Sequence, residues 1–347
     1  MKFLKTSHKI PVVAAALLLF LATGLATAQA QSLDIPSKHW GLSFGNSTEF
    51  TGLRFNFRDS QVKHIVGINI TLWGPRKDNT EALIEGLSLG PIPGGANLRG
   101  IQVGLLGVAA TKSMAGISLG LLGMGAGEDV IGLNIGGLGM GAGRNMKGIN
   151  IGGLGAGAGE NIWGVNLGGL GAGAGKDMVG INIGGLGVGA GENAAGINVG
   201  GLGAGAGKNM TGLNIGGLGV GAGEYLSGVN IGGVGAGAGK RLSGLTIVGL
   251  AAGSEEIVGL SIAGGAVGGK SLIGWQIAGA VVHVVKDGRL AGCAMSPFNY
   301  IRGHMTGLSI GIVNYAHSVK GLQVGIINIV RNNPKGLRVL PIFNTSF

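Results

Sequence analysis

The segment 264–271 has the residue types and spacing of a phosphate-binding loop. Its glycines, followed by Lys270 and Ser271, match the pattern G-x4-G-K-S. In that motif backbone amides surround phosphates, the lysine reaches the terminal ones and the serine binds magnesium. The chemistry requires a helix that begins at the lysine, but Gly274 and a strand-like run follow almost at once. We therefore predict that this segment binds no nucleotide.

Other residues capable of catalysis or metal binding are dispersed along the chain. Glu255 and Glu256 fall in a turn of the repeat described below. Cys293 is the single cysteine, so it cannot form an intramolecular disulfide, and we expect it to be a buried apolar residue. The histidines beyond the N-terminal region lack the spacing of metal ligands and lie at positions 39, 64, 283, 304 and 317. We predict no catalytic residue, no cofactor and no metal site, and hence no enzyme.

A glycine repeat sets the elements that would position any site. Glycine accounts for 78 of the 347 residues, far above the usual share of roughly 7%, and it disfavours helix interiors by about 1 kcal/mol per residue. Intervals of fourteen to nineteen residues flank a regular array, so one repeat covers nearly the whole chain. The regular array has glycines sixteen residues apart at positions 100, 116, 132, 148, 164, 180, 196, 212, 228 and 244.

Within one repeat, apolar side chains alternate with small or polar ones, as β-strands require. The double glycine at 184–185 shifts this alternation and predicts a bend. Asn182 and the alternate glycines are expected on the exposed face. The face predicted to be buried comprises Ile181, Ile183, Leu186, Val188 and Ala190. We predict an all-β fold, a β-solenoid with one coil for each repeat of about sixteen residues.

One position in each repeat carries a charge whose sign alternates at every step. In a parallel solenoid, equivalent residues of neighbouring coils stack about 4.8 Å apart, so each charge would lie between opposite charges. In an antiparallel barrel the acids would gather at one rim and the bases at the other, so the pattern favours the solenoid. The residues of this charge ladder are Lys112, Glu128, Arg144, Glu160, Lys176, Glu192, Lys208, Glu224 and Lys240.

Asparagine recurs at a second position of the repeat. Stacked amides hydrogen-bond to one another along such columns, so we interpret these residues as a structural ladder rather than as an array that binds a ligand. They are Asn134, Asn150, Asn166, Asn182, Asn198, Asn214 and Asn230.

An antiparallel outer-membrane-type β-barrel is the alternative fold. The chain ends in Phe347, and exported barrels often end in an aromatic strand. Val188, Ala204, Val220 and Ala236 also alternate, which would suit a hairpin of 32 residues. Against a barrel, the repeats nearly lack the aromatic girdles expected at both membrane interfaces.

The N-terminus predicts export. Lys2, Lys5 and Lys9 precede an apolar segment over 12–21, and Ala-Gln-Ala at 28–30 offers a cleavage site. We therefore predict a signal peptide over 1–30 and a single glycine-rich repeat domain over 31–347. The predicted parts of that domain are irregular N-terminal repeats over 31–99, regular repeats over 100–274, an insertion over 275–306 and C-terminal repeats over 307–347.

The formal charge of +10 is spread along the chain rather than concentrated. Arg54, Arg58 and Lys63 lie towards one end, and Arg331 and Arg338 lie towards the other. Because no basic stripe is interleaved with aromatic residues, we predict no nucleic-acid partner. Outer-membrane lipid or other surface proteins are the partners that this charge and the export signal favour.

Segments 307–314 and 321–328 share the unit G-[LVI]-x-[IVL]-G-[LI]-x-N. This unit resembles the repeat of a family of bacterial surface-repeat proteins of the type found in leptospires. Segment 340–344 is similar to that family's closing segment, and 52–59 is similar to its glycine-richer members. The resemblance extends over 40–347, although the central G-G-L-G-x-G-A-G form departs from it. It implies a surface location and no particular activity.

Together these features lead us to expect a non-enzymatic exported protein with a structural, adhesion or scaffolding role. The expected location is the outer membrane or cell surface, with the periplasm as a second choice. The barrel alternative would instead make the chain a pore or an anchor in the outer membrane.

Overall fold

Residues 32–346 are described by the computed structural model, and they form one continuous stack of β-coils. The predicted signal peptide over 1–30 and the terminal Phe347 lie outside the described residues. Within 32–346, no helix has the length and apolar character needed to cross a membrane.

Strands separated by short bends, and one 3-10 turn near the C-terminus, make up the described chain. The N-terminal coils contain β1 (Ser32–Pro36), β2 (Trp40–Gly45), β3 (Glu49–Asn56), β4 (His64–Thr71), β5 (Leu83–Gly90), β6 (Gly94–Gly104) and β7 (Gly107–Gly120). The regular coils contain β8 (Gly123–Ala126), β9 (Asp129–Gly136), β10 (Gly139–Ala142), β11 (Asn145–Gly152), β12 (Gly155–Ala158), β13 (Asn161–Gly168), β14 (Gly171–Ala174), β15 (Met178–Gly184), β16 (Gly187–Ala190), β17 (Asn193–Gly200), β18 (Gly203–Ala206), β19 (Asn209–Gly216), β20 (Gly219–Ala222), β21 (Tyr225–Gly232), β22 (Gly235–Ala238), β23 (Arg241–Val248), β24 (Ala251–Gly253) and β25 (Glu256–Ala263). The C-terminal coils contain β26 (Ala266–Ala278), β27 (Val281–Met295), β28 (Phe298–Val330), the 3-10 turn (Lys335–Leu337) and β29 (Val339–Asn344).

Strands of neighbouring coils pair in parallel. The long strand β17 pairs with β15 before it and β19 after it, which places Ile197 between Ile181 and Leu213. The short strand β18 pairs in the same way with β16 and β20. Equivalent residues of successive repeats therefore stack, and the predicted β-solenoid is confirmed. The antiparallel barrel is wrong, because consecutive repeats pair in parallel and not as hairpins.

A column of glycines with positive φ forms one corner of every coil. Gly180 has a φ of +123°, and a Cβ atom there would lie 2.0 Å from the carbonyl oxygen of Gly164 in the preceding coil. Residues with side chains rarely adopt this backbone conformation, so the repeat period follows from a corner that only glycine fits. This glycine column comprises Gly41, Gly52, Gly67, Gly86, Gly100, Gly116, Gly132, Gly148, Gly164, Gly180, Gly196, Gly212, Gly228, Gly244, Gly259, Gly274, Gly292, Gly307 and Gly321.

The side chains inside each coil differ from the predicted buried face. Asn182 is fully buried, whereas Ile181, Ile183 and Leu186 are 37%, 39% and 50% exposed. The predicted burial of these three aliphatic residues is therefore wrong. The short strand follows the prediction, since Val188 faces the interior.

Hydrogen bonds between coils explain why an amide rather than an isoleucine points inward at this position. Asn182 finds hydrogen-bond partners within its own column, where an isoleucine would leave the neighbouring amides unsatisfied. Gly184 also faces the interior, and a Cβ atom there would lie 2.0 Å from the carbonyl oxygen of Gly187 in the next strand. The bend over residues 185–186 begins at the second glycine of the pair 184–185, where the sequence predicts it.

The segment 275–306 continues the solenoid and is not a separate insertion. Strands β26, β27 and β28 pair in parallel, and they keep Gly274, Gly292 and Gly307 in one column. The pairing shifts register between Val284 and Arg289. The extra residues form a local bulge in one longer coil. Because of this bulge, the repeat period is not recognisable in this part of the sequence.

Both ends of the solenoid are covered by a strand that runs against its neighbour. At the N-terminal end β1 pairs antiparallel with β2, and at the C-terminal end β29 pairs antiparallel with β28. Uncovered sheet edges present unpaired backbone groups to other chains. The two antiparallel strands therefore act as caps on the stack.

Candidate functional site

The charge ladder lies at the corner that follows each short strand. The amide of Glu192 donates to the carbonyl oxygen of Lys176 at 2.8 Å, and the amide of Lys208 donates to that of Glu192 at 2.7 Å. The charges are stacked in order, but the ion pairs are not continuous along the ladder. They join each acid to the base of the next coil at 2.5–3.2 Å, as Glu128–Arg144, Glu160–Lys176, Glu192–Lys208 and Glu224–Lys240. The ion pairs of the ladder therefore join the coils two by two.

Reversing the charge of Lys208 should destabilise the solenoid only slightly. Its Nζ atom lies 2.7 Å from Glu192, and the two side chains are 53% and 39% exposed. Because exposed ion pairs contribute little, Lys208→Glu is expected to lower the thermal midpoint by about 1–3 °C. The loss should shrink near 1 M salt, where charges are screened within about 3 Å. Circular dichroism melts at low and high salt measure both effects, and a salt-independent loss would contradict the assignment.

The same pair gives a defined pH dependence. The hydrogen bond that the Lys208 ammonium donates to Glu192 raises the pKa of Lys208 above its ordinary value of 10.5. A raised folded-state pKa means that the pair stabilises the fold fully below about pH 10.5. That contribution is lost as the pH rises through the folded-state pKa, so the wild type and Lys208→Gln should converge in strongly alkaline solution.

The seven predicted ladder asparagines form an inner amide column. All seven are fully buried. Asn166 Nδ2 donates to Asn182 Oδ1 at 2.8 Å, Asn182 Nδ2 donates to Asn198 Oδ1 at 2.9 Å, and the bond recurs along the column. Only the terminal atoms, Asn134 Oδ1 and Asn230 Nδ2, lack a partner in the described part of the column. Amides enclosed in this way fix the register of the coils and are not accessible to a ligand.

An outer amide column lies beside the charge ladder and was not predicted. Asn193 Nδ2 donates to Asp177 Oδ1 at 2.8 Å, and Asn209 Nδ2 donates to Asn193 Oδ1 at 2.7 Å. These bonds run towards the preceding coil, opposite to those of the inner column. Asp129 and Asp177 interrupt the asparagines in the sequence and conceal the column. The sequence feature that could have predicted this column is a polar residue directly after each charge of the ladder.

Arg54 extends the inner polar column into the N-terminal coils. Its guanidinium is fully buried, with Nη1 2.6 Å from Asp59 Oδ1 and 2.7 Å from Asn69 Oδ1. Arg54 pairs in register with Asn69, and so occupies the position that asparagine takes in the regular coils. Arg54 therefore contributes no exposed charge near this end.

The segment that matches a phosphate-binding loop is part of a coil. Its residues from Ala266 onwards belong to β26. The amides of Lys270 and Ser271 both donate to the carbonyl oxygen of Glu255, at 2.9 and 3.0 Å, and the amide of Gly265 donates to Leu250 at 2.9 Å. Amides that would have to surround a phosphate are thus engaged between coils.

An open cleft of about 570 Å³ lies beside the charge ladder in the C-terminal coils, and Lys270 is in its wall. Arg241 Nε donates to Glu256 at 2.6 Å, and Arg289 Nε donates to Ser271 Oγ at 2.9 Å. The wall carries both signs of charge, a mixture that selects no single class of charged ligand.

Of the isolated reactive residues, the structure brings His304 and His317 together, with ring centroids 6.5 Å apart. Within 32–346, no group of three or more histidine, cysteine, aspartate or glutamate side chains is placed to hold a metal ion. His283 stacks on Tyr300 with ring centroids 5.7 Å apart. Cys293 is 6% exposed, and burial raises the pKa of its thiol, which disfavours the reactive thiolate.

An aliphatic face built from three stacked columns runs along the regular coils. Two columns follow the glycine column, at the positions of Ile181 and Ile183, and from the coil of Gly100 to that of Gly259 they contain only Ile, Leu and Val. The third, the corner column, lies after the double glycine and is 42–58% exposed, comprising Leu106, Leu122, Leu138, Leu154, Leu170, Leu186, Leu202, Leu218, Val234 and Leu250.

Charged residues are absent from the aliphatic face over these coils. The charge ladder lies at a different corner, since four residues of the short strand, such as Gly187–Ala190, separate it from the corner column. Each coil is therefore amphipathic. Large exposed apolar patches of this kind mark interaction surfaces, which makes the aliphatic face the strongest candidate for function. No protein-family model, no curated protein and no solved structure matches the chain.

Proposed function

We propose that the chain is a non-enzymatic repeat protein, exported to the bacterial outer membrane or cell surface, where it acts as a rigid scaffold. The observation that carries this proposal is the continuous aliphatic face, which supplies the surface through which the scaffold associates. The β-solenoid itself suits a structural role, because each coil is hydrogen-bonded to both of its neighbours.

The shape supports a scaffold. Nineteen stacked corner glycines at about 4.8 Å per coil correspond to a rod roughly 85 Å long. The inner amide column and the paired charges both oppose slippage between coils. Such a rod presents the same chemical groups at regular intervals, which is useful for support or adhesion and offers little for catalysis.

Export is tested by expressing the full chain in a bacterium that has an outer membrane. We expect residues 1–30 to be removed, the product to fractionate with the outer membrane, and external protease or a membrane-impermeant label to reach it. Mass spectrometry of the N-terminus and cell fractionation measure these outcomes. Retention of residues 1–30 together with a cytoplasmic location would contradict the proposal.

The contact surface is tested by a triple substitution in the corner column, Leu170→Asp, Leu186→Asp and Leu202→Asp. The three positions are 50–51% exposed, so folding should persist, while retention of the exported chain in the outer-membrane fraction should fall several-fold. The matched control is Thr211→Asp, an exposed position before the glycine column, which should behave as the wild type. Equal retention of all three proteins would exclude the aliphatic face as a contact surface.

A further inference from the structure

The aliphatic face has a periodic relief. Each of its columns repeats one branched side chain per coil, as with Ile181, Ile197 and Leu213 in successive coils. Neighbouring coils are about 4.8 Å apart, so the face carries regular ridges and grooves. Identical side chains stacked in this way interdigitate tightly with a second face of the same period. A second copy of this chain offers that period, whereas fluid acyl chains have none.

The area of the face meets the requirement of a stable dimer. The two strand columns and the corner column together contain about thirty aliphatic residues. At about 25 cal/mol per Å², the roughly 1.5–3 kcal/mol for full burial of such a side chain corresponds to about 60–120 Å². The corner residues are about half exposed and the strand residues roughly one-third exposed, so the exposed apolar area sums to roughly 700–1,400 Å². This is above the largest patch of a typical monomer, at about 300–600 Å², and comparable with the roughly 800 Å² that each partner contributes to a standard interface.

The placement of the charges also favours a second copy of this chain as the partner of the aliphatic face. The charge ladder lies at another corner, so two aliphatic faces can meet without burying an unpaired charge. The ends of the stack are less suited to association, because β1 and β29 run antiparallel there and interrupt the parallel register that end-to-end joining would continue. The aliphatic face is the large surface left for self-association, and an isologous contact through it closes after two copies.

We propose that two copies of this chain pack through their aliphatic faces to form a closed dimer, with the charge ladders on the outside. The sheets would lie about 10 Å apart, the usual spacing of face-to-face sheets. This inference rests on the proposed scaffold role, and it makes a paired rod the unit of that scaffold.

Sedimentation of the purified chain at micromolar concentration, without detergent, tests the proposal. We expect twice the mass of one chain for the wild type and for Thr211→Asp. The Leu170→Asp, Leu186→Asp and Leu202→Asp triple variant should have the mass of one chain and an unchanged β-type circular dichroism spectrum. If the triple variant does not fold, the milder Leu170→Gln, Leu186→Gln and Leu202→Gln variant takes its place.

A monomeric wild type would overturn the dimer, and so would a folded variant that remains dimeric. Flotation of a monomeric wild type with phosphatidylcholine vesicles would identify lipid as the occupant and likewise overturn it. These outcomes are independent of cell location. A monomer found at the outer membrane refutes only the dimer, whereas a cytoplasmic dimer refutes only the proposed function.

Discussion

Gly180→Ala is expected to lower the free energy of unfolding by about 3–5 kcal/mol, or to prevent folding altogether. The glycine has a φ of +123°, and the added Cβ atom would lie 2.0 Å from the carbonyl oxygen of Gly164. The atom in the way is backbone, held by the parallel pairing of β13 and β15, so no side-chain rotation relieves the clash. The strain of the backbone conformation adds to this steric cost.

The matched control lies in the same coil. A Cβ atom at Gly189 would meet nothing within 4 Å, so Gly189→Ala should change stability by no more than about 1 kcal/mol and can raise it by restricting the unfolded chain. Urea unfolding of both variants, followed by circular dichroism, makes the comparison. Similar losses at the two positions would show that the corner does not select glycine.

Hydrogen exchange locates the effect of Gly180→Ala along the rod. In a linear repeat each coil contacts only its neighbours, so amides of the adjoining coils should exchange faster than those near the caps. Uniform acceleration over all described coils would instead indicate a single cooperative unit.

Asn182→Ala is expected to cost about 3–5 kcal/mol, because it removes two buried hydrogen bonds and leaves a cavity. Asn166 Nδ2 would lose its acceptor, and Asn198 Oδ1 would lose its donor. Asn134→Ala is the matched control at the end of the column, where Oδ1 already has no partner among the described residues. Only one bond is lost there, so its effect should be smaller by about 1–2 kcal/mol.

Asn182→Asp adds a pH signature to this test. A carboxylate can still accept from Asn166, but it cannot donate to Asn198 unless it is protonated. Burial and the need to donate a proton to Asn198 Oδ1 both raise the folded-state pKa of the carboxyl introduced at position 182 above the ordinary aspartate value of about 3.9. The variant should therefore be nearest to wild type in acid and lose stability as pH rises through the interval above about 4. A flat difference between pH 4 and pH 8 in urea unfolding would contradict the buried column.

The periodicity of the sequence predicted the fold. The sixteen-residue spacing of the glycine column and the alternating charges predict stacked parallel coils, and the structure has them. The alternation of apolar and polar residues within one strand did not predict which face is buried. Ile181 and Ile183 alternate with Asn182, and hydrophobicity alone assigned the isoleucines to the interior.

The hydrogen bonds of the inner amide column decided the orientation of that strand, and they form between coils rather than within one strand. An isoleucine in place of Asn182 would leave Asn166 Nδ2 without an acceptor and Asn198 Oδ1 without a donor. The same inversion places isoleucines outside, and it creates the aliphatic face that no local pattern had predicted. The outer amide column was hidden for a different reason, because aspartate and asparagine share its positions.

The paired charges also constrain how many repeats the rod can gain or lose during evolution. Loss of the coil that carries Glu192 would stack Lys176 on Lys208 and remove the acid that pairs with Lys208, whereas loss of two coils would preserve the alternation. The alternation of Val188 and Ala204 has the same two-coil period. Gene duplications or deletions that preserve the fold should therefore occur in steps of 32 residues, and the rod would grow or shorten in increments of roughly 10 Å.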